Sequence, residues 1–503
     1  MLRIALHLVA HLAWMLTALI LLVVALARLA NAAPLPVVIV MQDRAMLRAT
    51  PRDSGQEQAV LWQGETVEVR GERLDYLQVY DHRRERAGFV RASQVRRVEV
   101  TAEAAPELLS VVRFLRDAGG SEALGIAFAA AYIEAAPADV LAGPDGIDAL
   151  DALGALADRL ARRASSAVPR TKAASQALAA HLEAASRYGV NFASYERDGR
   201  IVICYDGDAH RRVLAMQSNA EQRARAALAL TRAECFHREL RPLERYRVDV
   251  WRAEVLDRVN AATLSGYLKN RIAMARASVW SSLAYQRMRV GESATAAAQR
   301  ALAEFAIIDK SQLTDEDLAP YNDAAMRVAA SRWGAMPAAT ATTRNPQIVA
   351  TRAQSGETCI ELLEIRGEAR KELARRCTYG IVWTNSVSLN REGNALTLAV
   401  QPMDSWREIW IFRKDAGEWT IRVLPPATTD PNLGYVEFAG WVPGGKEMLV
   451  AREARGEGKY RRSFEAVSLD TLATVRQASD PASLSSFKRW GDPAWKRDTV
   501  STR

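Results

Sequence analysis

At 503 residues the chain is longer than one hydrophobic core usually organises, so roughly two to four domains are expected. With 49% apolar and 25% charged residues it is neither disordered nor collagen-like. The formal charge is +8, and setting aside Arg3 and Arg28 of the N-terminal segment leaves +6. That balance supports weak attraction to acidic polymers and no nucleic-acid partner.

The N-terminus reads as an export signal. Met1-Leu2-Arg3 is a basic leader, residues 4–27 hold no Lys, Arg, Asp or Glu, and Ala30-Asn31-Ala32 precedes Ala33-Pro34 in the small-residue pattern of a cleavage site between Ala32 and Ala33. The alternative is an uncleaved anchor, since the apolar stretch exceeds the ~20 residues that span a bilayer. Either reading puts residues 1–32 to export and the rest outside the cytoplasm, periplasmic or held at the inner membrane by residues 4–27. A membrane is a partner only in the uncleaved case. Four cysteines, Cys204, Cys235, Cys359 and Cys377, are expected to form two structural disulfides in such a compartment, 204 with 235 and 359 with 377; four buried thiols are the alternative.

Residues 38–100 alternate with period two between closely spaced turns, as a small β-barrel does. Ala45-Met46-Leu47-Arg48-Ala49-Thr50-Pro51, Gly64-Glu65-Thr66-Val67-Glu68-Val69, Leu74-Asp75-Tyr76-Leu77-Gln78-Val79 and Gly88-Phe89-Val90 follow in order. These four landmarks resemble the bacterial SH3-like (SH3b) domain, with Tyr76 and Phe89 where that family usually has Trp. The resemblance implies a binding or targeting module, often for cell-wall peptides, without catalytic residues. Trp62, Tyr76 and Phe89 are the candidate ligand-binding aromatics; a role in the barrel core is the competing reading. The segment holds 11 Arg, no Lys and 10 acids, so Arg83-Arg84-Glu85-Arg86 is expected to be a solvated hairpin edge.

Residues 105–335 turn to helical periodicity. Leu108, Val111, Val112 and Leu115 share a face, and Ala- and Leu-rich segments recur at 147–164, 172–188, 220–233, 248–259, 265–290, 293–308 and 315–333. Thr314-Asp315-Glu316-Asp317 suits a helix start. Arg200 to Tyr205 is β-branched and predicts a hairpin about Asp198-Gly199. No 34-residue period persists, so an irregular all-α domain is expected rather than a superhelix.

Residues 336–346 are small and polar and end in Pro346, the best linker in the chain. From 347 to 480 the period returns to two, with strands at 395–400, 408–412, 419–424, 447–451 and 463–469. Gly440-Trp441-Val442-Pro443-Gly444-Gly445-Lys446-Glu447-Met448-Leu449 resembles the hairpin of periplasmic β-propeller blades. At roughly 40–50 residues per blade the region is too short to close a propeller, so an antiparallel meander, open or sandwich-like, is expected. A basic, Trp-containing tail at 481–503 is expected to pack back on it. The fold class is therefore multidomain α+β: small SH3-like barrel, all-α domain, β meander.

No catalytic motif emerges. His82, His181, His210 and His237 are the only histidines after the export segment, and no His-Glu-x-x-His occurs to gather a metal. Cys235-Phe236-His237 could pair a thiolate with a base only if the thiol were free. Glu196, Asp198, Asp206 and Asp208 read as turn and cap residues rather than a glycan-cleaving pair. Trp406, Trp410, Trp419 and Trp441 lie on alternating strands and read as packing. No catalytic residue, metal or cofactor is assigned. The expectation is an exported envelope protein without catalytic activity, a binding or scaffold module for cell-wall peptide or an envelope protein. The alternative is a cell-wall (peptidoglycan) processing enzyme targeted by the same domain.

Overall fold

A computed structural model describes residues 36–166, 171–197, 199–237, 239–337, 345–353, 356–428, 432–456 and 458–498. The export segment, with Ala32 and Ala33, lies outside these residues, as do Asp198 and most of the 336–346 linker. The chain divides into two compact units, Met1–Ala209 and His210–Arg503. The architecture is mixed: an N-terminal antiparallel sheet, a helical middle and a β-rich C-terminal region.

In the first unit, β1 (Val37–Val40), β2 (Ala45–Arg48), β3 (Glu57–Leu61), β4 (Thr66–Arg73), β5 (Tyr76–Asp81), β6 (Arg86–Arg91) and β7 (Val95–Val98) form one sheet. Its order is β3-β2-β6-β5-β4-β1-β7, so β3 and β7 end the pairing path. Period-two alternation puts Val38, Leu47, Leu61, Val67, Val79 and Val90 on one face, where they bury one another.

Helices α1 (Ala105–Arg116), α2 (Glu122–Ala135), α3 (Ala138–Leu141), α4 (Pro144–Ser166) and α5 (Lys172–Arg187) follow, with the hairpin β8 (Phe192–Arg197)–β9 (Arg200–Tyr205). The hairpin turns where the sequence placed it, with Arg197 opposite Arg200. Helix α1 buries Leu108, Leu109, Val112 and Leu115. Helix α2 has no counterpart among the expected segments because it is buried on nearly every side, so its sequence carries no polar stripe to reveal a period. At the β3–β4 turn Gly64 has φ +83, and a Cβ there would lie 2.5 Å from the Ala123 carbonyl oxygen of α2, so only glycine lets sheet and helix meet this closely.

The helices read as one stretch are shared between the units, whose boundary falls inside α6 (Asp208–Ala215). The second unit contains α7 (Ala220–Leu230), α8 (Pro242–Asp257), α9 (Gly266–Arg289), α10 (Thr295–Ala306) and α11 (Asp315–Ser331). Helix α11 starts as its sequence indicates: Asp317 Oδ2 accepts from the Thr314 backbone N–H at 3.1 Å and the two residues form a capping box.

Its strands form three successive meanders. β10 (Gln347–Arg352), β11 (Thr358–Arg366) and β12 (Ala369–Thr378) make a three-stranded antiparallel sheet, and Cys359 on β11 is disulfide-bonded to Cys377 directly opposite on β12. Then come β13 (Ile381–Leu389), β14 (Ala395–Met403), β15 (Trp406–Asp415) and β16 (Glu418–Leu424), followed by β17 (Leu433–Trp441), β18 (Glu447–Gly456), β19 (Lys459–Ser468) and β20 (Thr474–Ala478).

The expected purely antiparallel meander needs correcting at one junction. β16 hangs off β15 as a side branch, and β15 pairs with β17 in parallel, Trp406 opposite Gly434 and Arg407 opposite Tyr435. A buried guanidinium is satisfied at this junction. Arg407 has no exposed surface, and this register lets it reach the Glu437 carboxylate on β17 while donating to the Ala329 carbonyl of α11 at 2.7 Å.

The tail packs as expected. α12 (Ser485–Trp490) and α13 (Pro493–Asp498) bury Phe487 and Trp495 against Phe464, Leu449 and Ala451. Gly440, at φ +146, leaves the space that the Trp490 carbonyl fills.

Candidate functional site

β5 and β6 decide which face the candidate aromatics occupy. Leu77 lies opposite Val90 and Val79 opposite Gly88, and these point into the core. Tyr76 opposite Arg91 and Gln78 opposite Phe89 therefore share the other face. Arg48 of β2 pairs with Phe89 and joins them.

On this face the polar groups are clamped. Tyr76 O–H donates to Asp53 Oδ1 at 2.6 Å, and Arg91 donates to both oxygens of Asp53, from Nε at 2.9 Å to Oδ1 and from Nη2 to Oδ2. Arg91 Nη1 reaches Asp75 at 3.3 Å, and its guanidinium lies 5.5 Å from the Tyr76 ring centroid. The Arg91 hydrogen bonds, then that of Tyr76, hold Asp53 down to about 2. The bond to Asp53 in turn pushes the Tyr76 hydroxyl up. Arg48 donates to the Gly55 carbonyl at 2.9 Å and faces Glu57 at 3.5 Å, which pins the β2–β3 loop carrying Asp53. The result is a half-buried Phe89 ring beside a fixed Arg91–Asp53 pair and a buried Tyr76. Such a surface can take an apolar side chain on the ring and a backbone amide or charged group on the pair.

Trp62 does not join it. It follows β3 in the turn to β4, at the opposite end of β4 from Arg73, the partner of Tyr76, and its backbone N–H donates to Glu65 Oε2 at 3.2 Å. Asp53 and Arg91, which complete the site, carry no local signal. They are 38 residues apart and meet only through strand register.

A second cluster ties sheet to helix. His181 of α5 is buried, with Nδ1 2.7 Å from Arg163 Nη2 and Nε2 2.7 Å from Asp43 Oδ1 in the β1–β2 turn. A guanidinium can only donate, so Nδ1 accepts from Arg163 and the Nε2–H donates to Asp43. That bond holds the Asp43 carboxyl below its ordinary range. Arg163 also meets buried Glu122 at 2.6 Å, as does Arg159 at 3.0 Å. Both imidazole nitrogens are engaged, so the ring has no lone pair for a substrate proton and works as a tie.

The run Arg83-Arg84 is likewise drawn inward from its expected solvated edge. Both arginines donate to buried Glu65 at 3.1–3.2 Å, Arg84 also meets buried Asp81 at 2.5 Å, and Arg83 reaches Glu183 of α5 at 2.5 Å. Buried carboxylates need such cations.

No protein-family model, no curated protein and no solved structure matches the chain.

The cysteines are oxidised: beside the Cys359–Cys377 bridge, Cys204 and Cys235 are disulfide-bonded and none is free. Cys235 therefore offers His237 no thiolate. Glu357 comes within 4.8 Å of both Cys359 and Cys377 sulfurs, but disulfide sulfurs do not ligate a metal as thiolates do. Disulfides belong to an oxidising, non-cytoplasmic compartment. Among the described residues no helix is long and apolar enough to cross a membrane. Trp406 and Trp410 are buried, and Trp441 donates to Ser388 Oγ at 3.0 Å. Asp206 Oδ1 accepts from the Asp208 N–H at 3.0 Å, the capping use expected of it.

Proposed function

We propose that this is an exported envelope protein without catalytic activity, a binding or scaffold module whose contact surface is the Tyr76–Phe89 face. The observation that carries this reading is the clamp on that face. Asp53, Arg91 and Tyr76 are held in mutual hydrogen bonds beside the half-exposed Phe89 ring, a preorganised arrangement of the kind binding sites use. The SH3-like reading supports it: the four landmark segments fall on β2, the β3–β4 turn with β4, β5 and β6. Cell-wall peptide or an envelope protein is the partner class. The meanders after residue 347, which resemble propeller blades in the Trp441–Leu449 hairpin, serve as the scaffold. The disulfides favour the periplasmic side.

The test uses the full chain, because α5 is tied to the sheet by the His181–Asp43 bond and Tyr188, just after it, by its bond to Gly64. Purified chain is sedimented with purified wall sacculi. Binding is expected, with a loss of roughly ten-fold or more for Phe89→Ala, the scale of a central aromatic contact, at unchanged circular dichroism. Failure of the wild-type chain to sediment would remove wall peptide as the partner. Release of muropeptides would overturn the non-catalytic reading.

A further inference from the structure

The four cysteines stand in unlike surroundings. Cys204 is buried and Cys235 half-buried, so neither lies open to solvent. Of the other two, Cys359 is 2% exposed, while Cys377 is an exposed residue. A disulfide opens when a thiolate attacks one sulfur and expels the other, and access decides which sulfur is attacked. In the Cys359–Cys377 bridge only the Cys377 end faces solvent. The fold therefore fixes Cys377 as the attacked sulfur and Cys359 as the leaving one.

Register works against the bond as well. Cys359 on β11 and Cys377 on β12 are direct partners in an antiparallel ladder. Such a ladder sets directly opposed Cβ atoms about 4.5–5.5 Å apart, whereas a disulfide holds them about 3.8 Å apart. Ladder and bridge thus ask for different spacings, and the sheet relaxes when the bond opens. The hairpin does not depend on it for pairing. Residues 360–366 stay paired with 369–376, and Cys359 keeps Thr351 of β10 as its partner on the other side. What the bond adds is the restriction it places on the unfolded chain.

Charge does not bar the approach. Arg375 precedes Cys377 by two residues and so shares its face of the sheet. Its side chain is 51% exposed and meets Glu361 at 3.8 Å. It offsets Glu357, whose carboxylate comes within 4.8 Å of both sulfurs.

We propose that Cys359–Cys377 is a thiol–disulfide exchange site whose reactant is a dithiol reductant. One thiolate of the dithiol attacks Cys377 Sγ, forming a mixed disulfide and expelling the Cys359 thiolate. The second thiolate of the dithiol then attacks its own sulfur in that mixed disulfide and releases Cys377. The dithiol ends as a disulfide, and the bridge becomes two thiols, each carrying one of the protons the dithiol gave up. The inference is independent of what the Tyr76–Phe89 face binds.

The test exposes the oxidised full chain to dithiothreitol without denaturant, quenches it at intervals by alkylation and locates the alkylated cysteines by peptide mass spectrometry. Cys359 and Cys377 are expected to become alkylated roughly ten-fold or more faster than Cys204 and Cys235, at unchanged circular dichroism. With reduced glutathione in place of dithiothreitol, the mixed disulfide should form on Cys377 in roughly ten-fold or greater excess over Cys359. Opening of all four cysteines together overturns the proposal. So does opening that requires urea to unfold the chain, and so does glutathione found chiefly on Cys359.

Discussion

The two units bury charge in different ways. In the N-terminal unit the inside carboxylates meet arginines that still touch water. Glu65 and Asp81 are met by Arg83 and Arg84, Glu122 by Arg159 and Arg163, and Asp151 by Arg116 at 3.3 Å. In the C-terminal unit some buried carboxylates are met the same way, Asp317 by Arg271 and Glu465 by Arg452, but in other pairs cation and anion are both enclosed. Arg407 and Arg332 share Glu437, the three being 0%, 4% and 2% exposed, and Arg252 meets Asp249 at 2.8 Å in the interior. Burial opposes ionisation of Glu437, yet Arg332 and Arg407 outweigh it and its pKa is lowered. A half-exposed cation that loses its partner turns back to water, whereas an enclosed one cannot.

The largest effect follows from the enclosed triad. Glu437→Ala strands two guanidiniums and is expected to destabilise the second unit by ~3–5 kcal/mol, read from its urea unfolding transition. Replacing Arg332, Arg407 and Glu437 together with apolar residues should recover most of that loss; recovery of none would mean that the three are irreplaceable. Removing the Cys359–Cys377 bridge as a double serine variant comes next. Its sequence separation of 18 residues corresponds to ~3 kcal/mol in the chain-entropy model.

The same experiment in the first unit should cost less. Glu122→Gln is expected to lose about 1–3 kcal/mol, because Arg159 and Arg163 are each about 30% exposed and can rehydrate. A loss matching that of Glu437→Ala would break the contrast between the units. Tyr188, held protonated by burial, which pushes it up to about 12, donates to the Gly64 carbonyl. Tyr188→Phe should cost about 1 kcal/mol, measured as a lower thermal midpoint.

The smallest effect is at the surface clamp. Asp53 titrates lower in the fold than its ordinary 3.8, so its contribution is present above that value and is lost as the pH falls toward 2. Acid titration of the first unit should therefore be less steep between about pH 4 and pH 2 for Asp53→Asn than for the wild-type chain. Identical curves would show that the clamp adds nothing to stability.

Legibility followed locality. Four of the five strands expected after residue 390 lie within β14, β15, β16 and β18 and the fifth overruns β19 by one residue, and α5, α9, α10 and α11 begin within two residues of expectation, because period and caps are written in adjacent residues. Helix α2 was hidden by its own burial. β17 went unread as a strand because it is buried on both faces and lacks alternation. Of the candidate site, the four SH3-like landmarks supplied Tyr76 and Phe89, but Trp62 fell at the far end and Asp53 and Arg91 were invisible.

By itself the sequence determined the type of the strongly periodic elements, the tail that folds back and the cysteines available for oxidation, since these depend on residue spacing and chemistry. Only the tertiary structure decided which charges meet: Asp53 with Arg91, Asp43 with His181 across 138 residues, Glu437 with Arg407 and Arg332. It also decided that β15 and β17 run parallel and that Leu74 is exposed among the described residues. The physical reason is common to all of them. A buried or clamped charge takes whichever opposite group the packing brings within reach, and that choice is made by register and loop closure, which no local pattern records.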